Sequence, residues 1–126
     1  MLSNPQKEKG DEMKYIFLFF VLCIALYLGQ VRLFEEYLYP GQELDILVNV
    51  VNYDYRDLDD VRVTVFIPEM GLYFRSRSFD VEDRDAYGSV VFEDIPKDAM
   101  KGDYLVKISI HNEDIEESTY RYITIV

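Results

Sequence analysis

The chain has 126 residues and a formal net charge of −11, with 24 acidic side chains against 13 basic ones. A surface this acidic repels phosphate backbones, so nucleic acid is excluded as an expected partner. The single cysteine excludes an internal disulfide.

The N-terminal part of the chain divides into a polar leader and an apolar segment. Residues 1–12 are polar, and we predict that they are disordered. The uninterrupted apolar run Tyr15–Leu28 follows, and Gly29–Val31 extends it to the ~17 residues at the lower limit for a spanning helix. We therefore predict a membrane anchor over residues 13–31, which contacts the membrane through residues 15–31.

Two other interpretations of the apolar segment stay open. One is a cleaved signal peptide, with Met13 as the true start and a secreted domain as the product. Its best cleavage site, Tyr27-Leu28-Gly29, places a bulky tyrosine where a small residue is preferred, which favours an uncleaved anchor. The other is a buried core helix.

Basic residues on the two sides of the apolar segment predict its orientation. Lys7, Lys9 and Lys14 precede the segment, whereas only Arg32 follows closely. Because basic residues are retained on the cytoplasmic side, the N-terminus is expected inside and the rest of the chain outside. The predicted localisation is a single-pass protein of the cell membrane.

Residues 32–126 have the pattern of a β-domain. Apolar and polar residues alternate most clearly over 43–52, as expected for a half-buried strand. Turn residues separate the runs at intervals of ~8–12 residues, which predicts an immunoglobulin-like β-sandwich of about seven strands behind the N-terminal helix. Residues 31–39 are predicted to form either a first strand or a stalk. The other predicted strands are 43–52, 61–67, 72–79, 86–92, 104–110 and 118–126.

The alternation also predicts which side chains face the core. In the strand 86–92 we expect Val90 and Phe92 to point inward. In the last strand we expect Ile123 and Ile125 inward, with Tyr120 and Tyr122 outward. The segment Leu72–Phe79 is rich in arginine and serine, which is typical of an edge strand.

Three stretches resemble the CARDB family of cell-adhesion-related, immunoglobulin-like modules. They are Pro40–Asn52, with its Pro-Gly turn and alternating strand, Leu58–Val65, and the G-x-Y-x-V-x-I run Gly102–Ile108. More narrowly, Tyr39–Val126 looks like the Ig-like modules of archaeal surface-layer and envelope proteins. Tyr104 is placed where such sandwiches carry a tyrosine corner. The resemblance implies a structural or adhesive role outside the cell.

Two groups of aromatic and basic residues are candidate partner contacts. Tyr and Arg are enriched at binding hot spots, and loops on rigid scaffolds often carry binding. The first group lies in the loop after the clearest strand, and the second lies on the predicted edge strand. The candidate residues are Tyr53, Tyr55 and Arg56 in the loop, and Tyr73, Arg75 and Arg77 on the edge.

Neither a catalytic centre nor a cofactor site is predicted. His111 adjoins a turn, no cysteine lies in the β-domain, and no G-x-S-x-G elbow is present. Carboxylates gather at Asp80–Asp85 and at Glu113–Glu117, which raises calcium as an alternative. Neither cluster has the spacing of an EF-hand.

The sequence therefore predicts a non-enzymatic, membrane-anchored domain that contacts other envelope proteins. Two alternatives remain. One is a stator-like or assembly subunit of an archaeal surface filament. The other is a glycan- or calcium-binding surface module.

Overall fold

The computed structural model describes residues 28–126, and in this part of the chain every regular element except one short turn is a β-strand. Residues 1–27, which hold the predicted leader and most of the predicted anchor, lie outside the described residues. The strands are β1 Leu28–Leu33, β2 Tyr37–Leu38, β3 Glu43–Val51, β4 Leu58–Ile67, β5 Leu72–Arg75, β6 Phe79–Val81, β7 Ala86–Asp94, β8 Gly102–His111 and β9 Glu116–Ile125, with a 3₁₀ turn at Pro68–Met70.

The strands form two sheets with the arrangement of a β-sandwich. The smaller sheet has the order β1-β3-β7, and both of its pairings are antiparallel. The larger sheet has the order β2-β9-β8-β4-β5. Strand β6 also pairs with β4, at Leu58 and Val61, before the part of β4 that pairs with β5. The predicted all-β fold is thus confirmed for the described residues.

Period-two alternation places one face of each long strand in the core. On β3 the side chains of Leu44, Ile46, Val48 and Val50 are fully buried, and the residues between them are not. Strands β4 and β8 present the opposing faces. The core side chains of these two strands are Leu58, Val61, Val63, Val65, Ile67, Tyr104, Val106, Ile108 and Ile110. Burial of about twenty such side chains is the main stabilising term, since each contributes roughly 1.5–3 kcal/mol of transfer free energy.

The N-terminal boundary of the domain differs from the prediction. Leu28–Val31, assigned above to the end of the anchor, belong to β1 and pair with β3. The side chain of Leu28 is buried, so its apolar character serves the core of the sandwich. Pattern alone could not show this, because the buried strand continues the apolar run without a break. The apolar sequence outside the described residues is thereby shortened to 15–27.

The segment 31–39, predicted as a first strand or a stalk, in fact contributes to two strands in different sheets. Strand β1 pairs with β3, whereas β2 pairs in parallel with β9. The chain changes sheets over residues 34–36, where the Phe34 N–H donates to the Asp45 carbonyl and the Thr124 N–H donates to the Glu36 carbonyl. This crossing closes one side of the sandwich and buries Leu38.

The predicted core face is wrong for β7 and right for β9. Ile46 lies opposite Val91, so Val91 points inward and is buried. Val90 and Phe92 therefore point to solvent and are 50% and 61% exposed. A shift of one residue moves every side chain to the other face, and the run Ser89–Phe92 permits both frames. On β9 the core takes Ile123 and Ile125, and Tyr120 and Tyr122 are exposed, as predicted.

The predicted edge strand 72–79 does lie at an edge, although it is interrupted. Strands β5 and β6 both pair with β4, and Ser76 bridges them by accepting a hydrogen bond from the Val63 N–H at 3.0 Å. Pro68 ends β4, as expected for a residue that cannot donate to the ladder. No helix among residues 28–126 has the length and apolarity needed to span a membrane.

Two turn features anticipated from the sequence fix the ends of strands. At Tyr39–Gln42 the Gln42 N–H donates to the Tyr39 carbonyl, and Gly41 has φ of 84°, which suits a type II turn. The Tyr104 hydroxyl donates to the Met100 carbonyl at 2.6 Å. This is the geometry of a tyrosine corner, and it ties the chain before β8 to the core.

Replacing Tyr104 with Phe tests how much this corner stabilises the sandwich. The ring remains in the core, so the expected loss is that of one hydrogen bond, about 0.5–1.5 kcal/mol in the free energy of unfolding. Thermal unfolding of the purified full-length chain should show a Tm lower by roughly 4–8 °C per kcal/mol for a domain of this size. Tyr39→Phe, which removes an exposed hydroxyl, should leave the Tm unchanged. Equal effects of the two substitutions would contradict the assignment.

Candidate interaction surfaces

A groove runs along one flank of the sandwich, between the free edges of the two sheets. Its volume is about 490 Å³, and we call it the flank groove. One wall is the segment Arg75–Phe79, which follows the edge of the larger sheet. The other wall is Tyr87–Phe92 of β7, the last strand of the smaller sheet.

An aromatic pair connects the two walls of the flank groove. The rings of Phe79 and Tyr87 stack with centroids 4.3 Å apart and an interplanar angle of 16°. Because β6 and β7 belong to different sheets, this stack joins the sheets at the flank. Such pairs contribute about 0.5–1.5 kcal/mol beyond their buried area, so the groove is a fixed feature of the fold.

The charge of the flank groove is opposite to that of the rest of the domain. Its lining includes Arg75 and Arg77, three serines and no carboxylate. Residues 28–126 carry 21 acidic side chains against ten basic ones. A groove with two arginines and no acid in such a chain is suited to an anionic or hydrogen-bonding partner.

A second surface lies on the outer face of the larger sheet. Cross-strand pairing sets Tyr73, Phe66, Lys107 and Tyr120 in one row across four strands. The rings of Phe66 and Tyr73 meet edge to face with centroids 6.4 Å apart. Tyr122 lies two residues beyond Tyr120 on the same face of β9. We call these five residues the aromatic face.

Hydroxyl groups border the aromatic face. The next row across the same strands contains Arg75, Thr64, Ser109 and Ser118, and the oxygens Oγ of the two serines are 2.8 Å apart. A shallow groove of about 350 Å³ follows this border and reaches His111 and Glu116, which lie opposite each other on β8 and β9. His111 thus lies at the rim of a polar surface at the end of its strand.

The loop between β3 and β4 displays the first predicted group. Tyr53 and Tyr55 are exposed, and the Arg56 side chain is 89% exposed, with Asp54 at 3.8 Å. The guanidinium of Arg84, from the turn between β6 and β7, lies 5.1 Å from the centroid of the Tyr55 ring. This cation–π contact links the two turns at one end of the sandwich.

Asn52 holds this loop in place. Its side chain is fully buried, and its Nδ2 donates to the carbonyls of Arg56, Val81 and Glu82 at 2.7, 3.2 and 3.2 Å. Its Oδ1 accepts from the Asp54 N–H at 2.9 Å. In the sequence Asn52 stands only at the end of the alternating run 43–52, and its burial is what identifies it as the anchor of the loop.

The six predicted contact residues therefore fall on three surfaces. Tyr53, Tyr55 and Arg56 share the end loop. Tyr73 belongs to the aromatic face, whereas Arg75 and Arg77 line the flank groove. Sequence reasoning did not include Phe66, Lys107, Tyr120, Tyr122, Val90 or Phe92 among the contacts. The alternation of Tyr120 and Tyr122 with polar residues is the sequence signal from which this exposed aromatic strip could have been predicted.

The two acidic turns do not bring their carboxylates together. Among residues 28–126 no group of three or more His, Cys, Asp or Glu side chains is placed to hold a metal ion. Several of these carboxylates bind the backbone: Asp80 accepts from the Asp60 N–H at 3.0 Å, and Asp85 accepts from the Ala86 N–H at 2.8 Å. We therefore derive no metal chemistry from these turns.

Two carboxyl groups have pKa values above their ordinary range. A hydrogen bond with Asp45 raises the pKa of Glu43, and the nearby charges of Asp45, Asp94 and Glu93 act in the same direction. These four acids crowd the end of the β3–β7 pair. Burial raises the pKa of Glu117, and the Leu28 N–H, which donates to its Oε2 at 3.2 Å, opposes that shift.

The fold matches solved structures, although no family model and no curated protein matches the sequence. The crystal structure of the CARDB domain of the PF1109 protein from Pyrococcus furiosus, in complex with di-metal ions, superposes with a TM-score of 0.59 at 13% identity. The match covers 76% of this chain and 84% of that domain. The described domain shares the fold of a CARDB domain.

Larger proteins contain the same fold. Spo0M, a sporulation control protein from Bacillus subtilis, matches with a TM-score of 0.56 at 14% identity, over 76% of this chain and 47% of that one. A family 123 glycoside hydrolase from Clostridium perfringens matches with a TM-score of 0.55 at 12% identity, over 71% of this chain and 22% of the enzyme. At these identities the comparisons establish the fold alone.

Replacing Asn52 with Ala tests its role in holding the end loop. Loss of the buried amide leaves three carbonyls short of a donor, so we expect a destabilisation of about 1–3 kcal/mol. Chymotrypsin should cut the variant faster at Tyr53 and Tyr55, because local opening precedes cleavage. Asn49→Ala, on the outer face of β3, serves as control and should change neither quantity. Unchanged cleavage in Asn52→Ala would show that other contacts fix the loop.

Proposed function

We propose that the chain is a non-catalytic, membrane-tethered domain of the cell envelope that binds an extended strand of another protein along its flank groove. The observation that carries the proposal is the flank groove itself. It combines two arginines, the absence of lining carboxylates and the free edge of β7, in a domain that is acidic elsewhere. A free strand edge offers main-chain hydrogen bonds to a partner strand, and flanking side chains select the partner.

The tether rests on the sequence before Leu28 and on how Leu28 is held. Its side chain fills the core, and its N–H donates to Glu117. Cleavage after Gly29 would remove this core residue, which favours a chain that stays continuous with the apolar segment. Residues 15–27 are shorter than the ~20 apolar residues of an average span. The proposed tether therefore includes Lys14, because a long lysine side chain can reach the headgroups.

The non-catalytic part of the proposal is supported by the chemistry of the described surfaces. Residues 28–126 contain one histidine and no cysteine. The CARDB-like fold is compatible with a role in adhesion or assembly, and an assembly subunit of a surface filament is one form that such a role can take. In each of these forms the domain acts by holding a rigid binding edge at a fixed distance from the membrane.

Fractionation and photo-crosslinking test the tether and the groove together. Full-length protein should sediment with membranes after a carbonate wash, and protease added outside intact cells should remove residues 28–126. A photo-reactive residue at Ser78, in the groove wall, should crosslink to protein. The same residue at Asp98, in the loop between β7 and β8, should not. Soluble protein lacking the apolar segment would refute the tether, and equal crosslinking at both positions would refute the groove.

The aromatic face supports glycan binding as a second candidate function. Rows of exposed aromatic rings on a rigid sheet offer stacking surfaces for sugar rings, and the exposed hydroxyl of Ser118 in the bordering row supplies a hydrogen-bonding group. Tyr120 and Tyr122, which are 53% and 67% exposed, are available for such contacts.

A glycan array with the full-length chain tests this candidate. If the aromatic face binds sugars, Tyr120→Ala should weaken binding at least tenfold, equivalent to about 1.4 kcal/mol. Tyr53→Ala, which removes an equally exposed ring from the end loop, should leave binding intact. Absence of binding to neutral and acidic envelope glycans, or equal losses in both variants, would remove this candidate.

A further inference from the structure

Strand β7 is an edge with a defined set of free backbone groups. Within residues 28–126 it pairs only with β3. At its two ends the Asn52 N–H donates to the Asp85 carbonyl and the Ile95 N–H donates to the Gln42 carbonyl, both at 2.8 Å. Odd-numbered residues of β7 therefore bond to β3. Because bonding alternates along a strand, the N–H and C=O groups of the even-numbered residues point to the open side. The N–H groups of Ala86 and Asp94 are bonded to the carboxylates of Asp85 and Glu93, at 2.8 and 3.1 Å, so the N–H groups that remain for a partner are those of Gly88, Val90 and Phe92.

This edge lacks the features that usually block strand pairing. Edge strands are commonly protected by lysine, proline, bulges or short length. The segment Ala86–Phe92 contains no charged residue and no proline, in a chain with 29% charged residues. Strand β7 keeps an unbroken register with β3 over nine residues. By contrast, the register of β1 shifts between Leu28 and Val31, and β5 has four residues.

We propose that the strand bound at the flank groove is β7 of a second copy of this chain, paired antiparallel about a two-fold axis at Val90. This inference rests on the proposed function and names the partner of the same site. The even-numbered open groups require even-numbered residues to face one another, and a two-fold axis at Val90 sets Ala86 opposite Asp94 of the second copy and Gly88 opposite its Phe92. This register overlaps the full length of both strands, and joins two three-stranded sheets into one of six.

Side chains on the outer face of this pair complement one another. Val90 would meet Val90 of the second copy. Phe92, which is exposed in the single chain, would lie across Gly88 of the second copy, next to Asn49, whose Oδ1 is 3.2 Å from where a Cβ on Gly88 would be. Covering a glycine with a cross-strand aromatic is a known way to stabilise an edge pair. The exposed apolar residues of β7 thus become the centre of an interface.

Asp85 precedes the start of β7, so it is Arg77 in the flank groove that can offset a carboxylate of the second copy under the same two-fold axis. Glu93 and Asp94 lie at one end, in the cluster where carboxylates already raise the pKa of Glu43. Near the start of β7, Tyr87 stacks on Phe79. Arg77, which is two residues before Phe79 in the chain, lines the groove. In the proposed register Glu93 of the second copy lies opposite Tyr87, on the inner face. It would therefore bring a carboxylate to the arginine-lined groove of its partner.

The proposed tether would strengthen an otherwise small interface. Pairing of two strand edges buries less area than a standard interface of ~1,600 Å². Confinement of both copies to one membrane raises their effective concentration without any new contact. The two-fold axis must then run along the membrane normal, because it relates both tethers.

A cysteine at the two-fold axis tests the pairing directly. In an antiparallel pair that exchanges hydrogen bonds, opposite Cα atoms are ~5.5 Å apart, within the ~4.4–6.8 Å that a disulfide spans. Full-length V90C in a C23S background, in membranes under mild oxidation, should form a disulfide-linked dimer. Full-length Y122C in the same background carries an exposed cysteine on the other sheet and should remain monomeric.

A charge exchange distinguishes a second copy from any other partner. R77E and E93R should each lower the yield of the V90C dimer about two- to five-fold, the range for an exposed ion pair worth up to ~1 kcal/mol. The double variant R77E/E93R should restore the yield, because both halves of the ion pair come from the same sequence. Limited proteolysis of each variant checks that the domain remains folded.

Each result of these experiments decides one of the two proposals. Pairing with a second copy is supported if the V90C dimer forms and its yield falls in R77E and in E93R but recovers in R77E/E93R. Absence of the V90C dimer, or equal dimer in Y122C, overturns it. If the dimer is absent while Ser78 still crosslinks to a different protein, the flank groove remains a binding site and only the identity of the partner is wrong. If Ser78 crosslinks to nothing, both proposals fail.

Discussion

The structure depends on the burial of one face of β3 against β4 and β8. Four fully buried side chains of β3 interlock with nine from the two strands of the larger sheet, and no buried side-chain polar atom in residues 28–126 lacks a hydrogen-bond partner. This packing fixes the register of β3, and β3 in turn fixes β1 and β7 on its two sides. The faces of β7, and with them the flank groove, follow from this register.

The long central strands could be predicted from the sequence, because their alternation has only one frame. In β3, in β8 and in β4 from Val61 onward, every second residue is apolar and the residues between them are mostly polar, so a one-residue slip would bury charge. The same reasoning correctly predicted that Ile123 and Ile125 of β9 face the core. It failed for β7, where Val90, Val91 and Phe92 are consecutive apolar residues. Which of them face the core is decided by pairing with Ile46 and Val48, a non-local fact.

The boundaries and surfaces were harder to predict, for related reasons. Leu28 continues an apolar run, so nothing local marks the point at which β1 begins. The division of 31–39 into β1 and β2 depends on two partner strands that are distant in sequence. Tyr73 and Arg75 are two residues apart on the same face of β5, where Tyr73 lies opposite Phe66 and Arg75 lies opposite Thr64. Arg75 also lines the flank groove, so it lies where the two surfaces meet.

The acidic surface and the uncharged edge act in opposite directions, and together they favour specificity. A net charge of −11 makes copies of the chain repel each other in most orientations. Along β7 that repulsion is weakest, because Ala86–Phe92 carries no charge and the facing wall carries arginines. An approaching strand therefore encounters one edge with free hydrogen-bonding groups and little electrostatic opposition. An acidic domain with one long uncharged edge strand, β7, discourages random association and favours pairing along that strand.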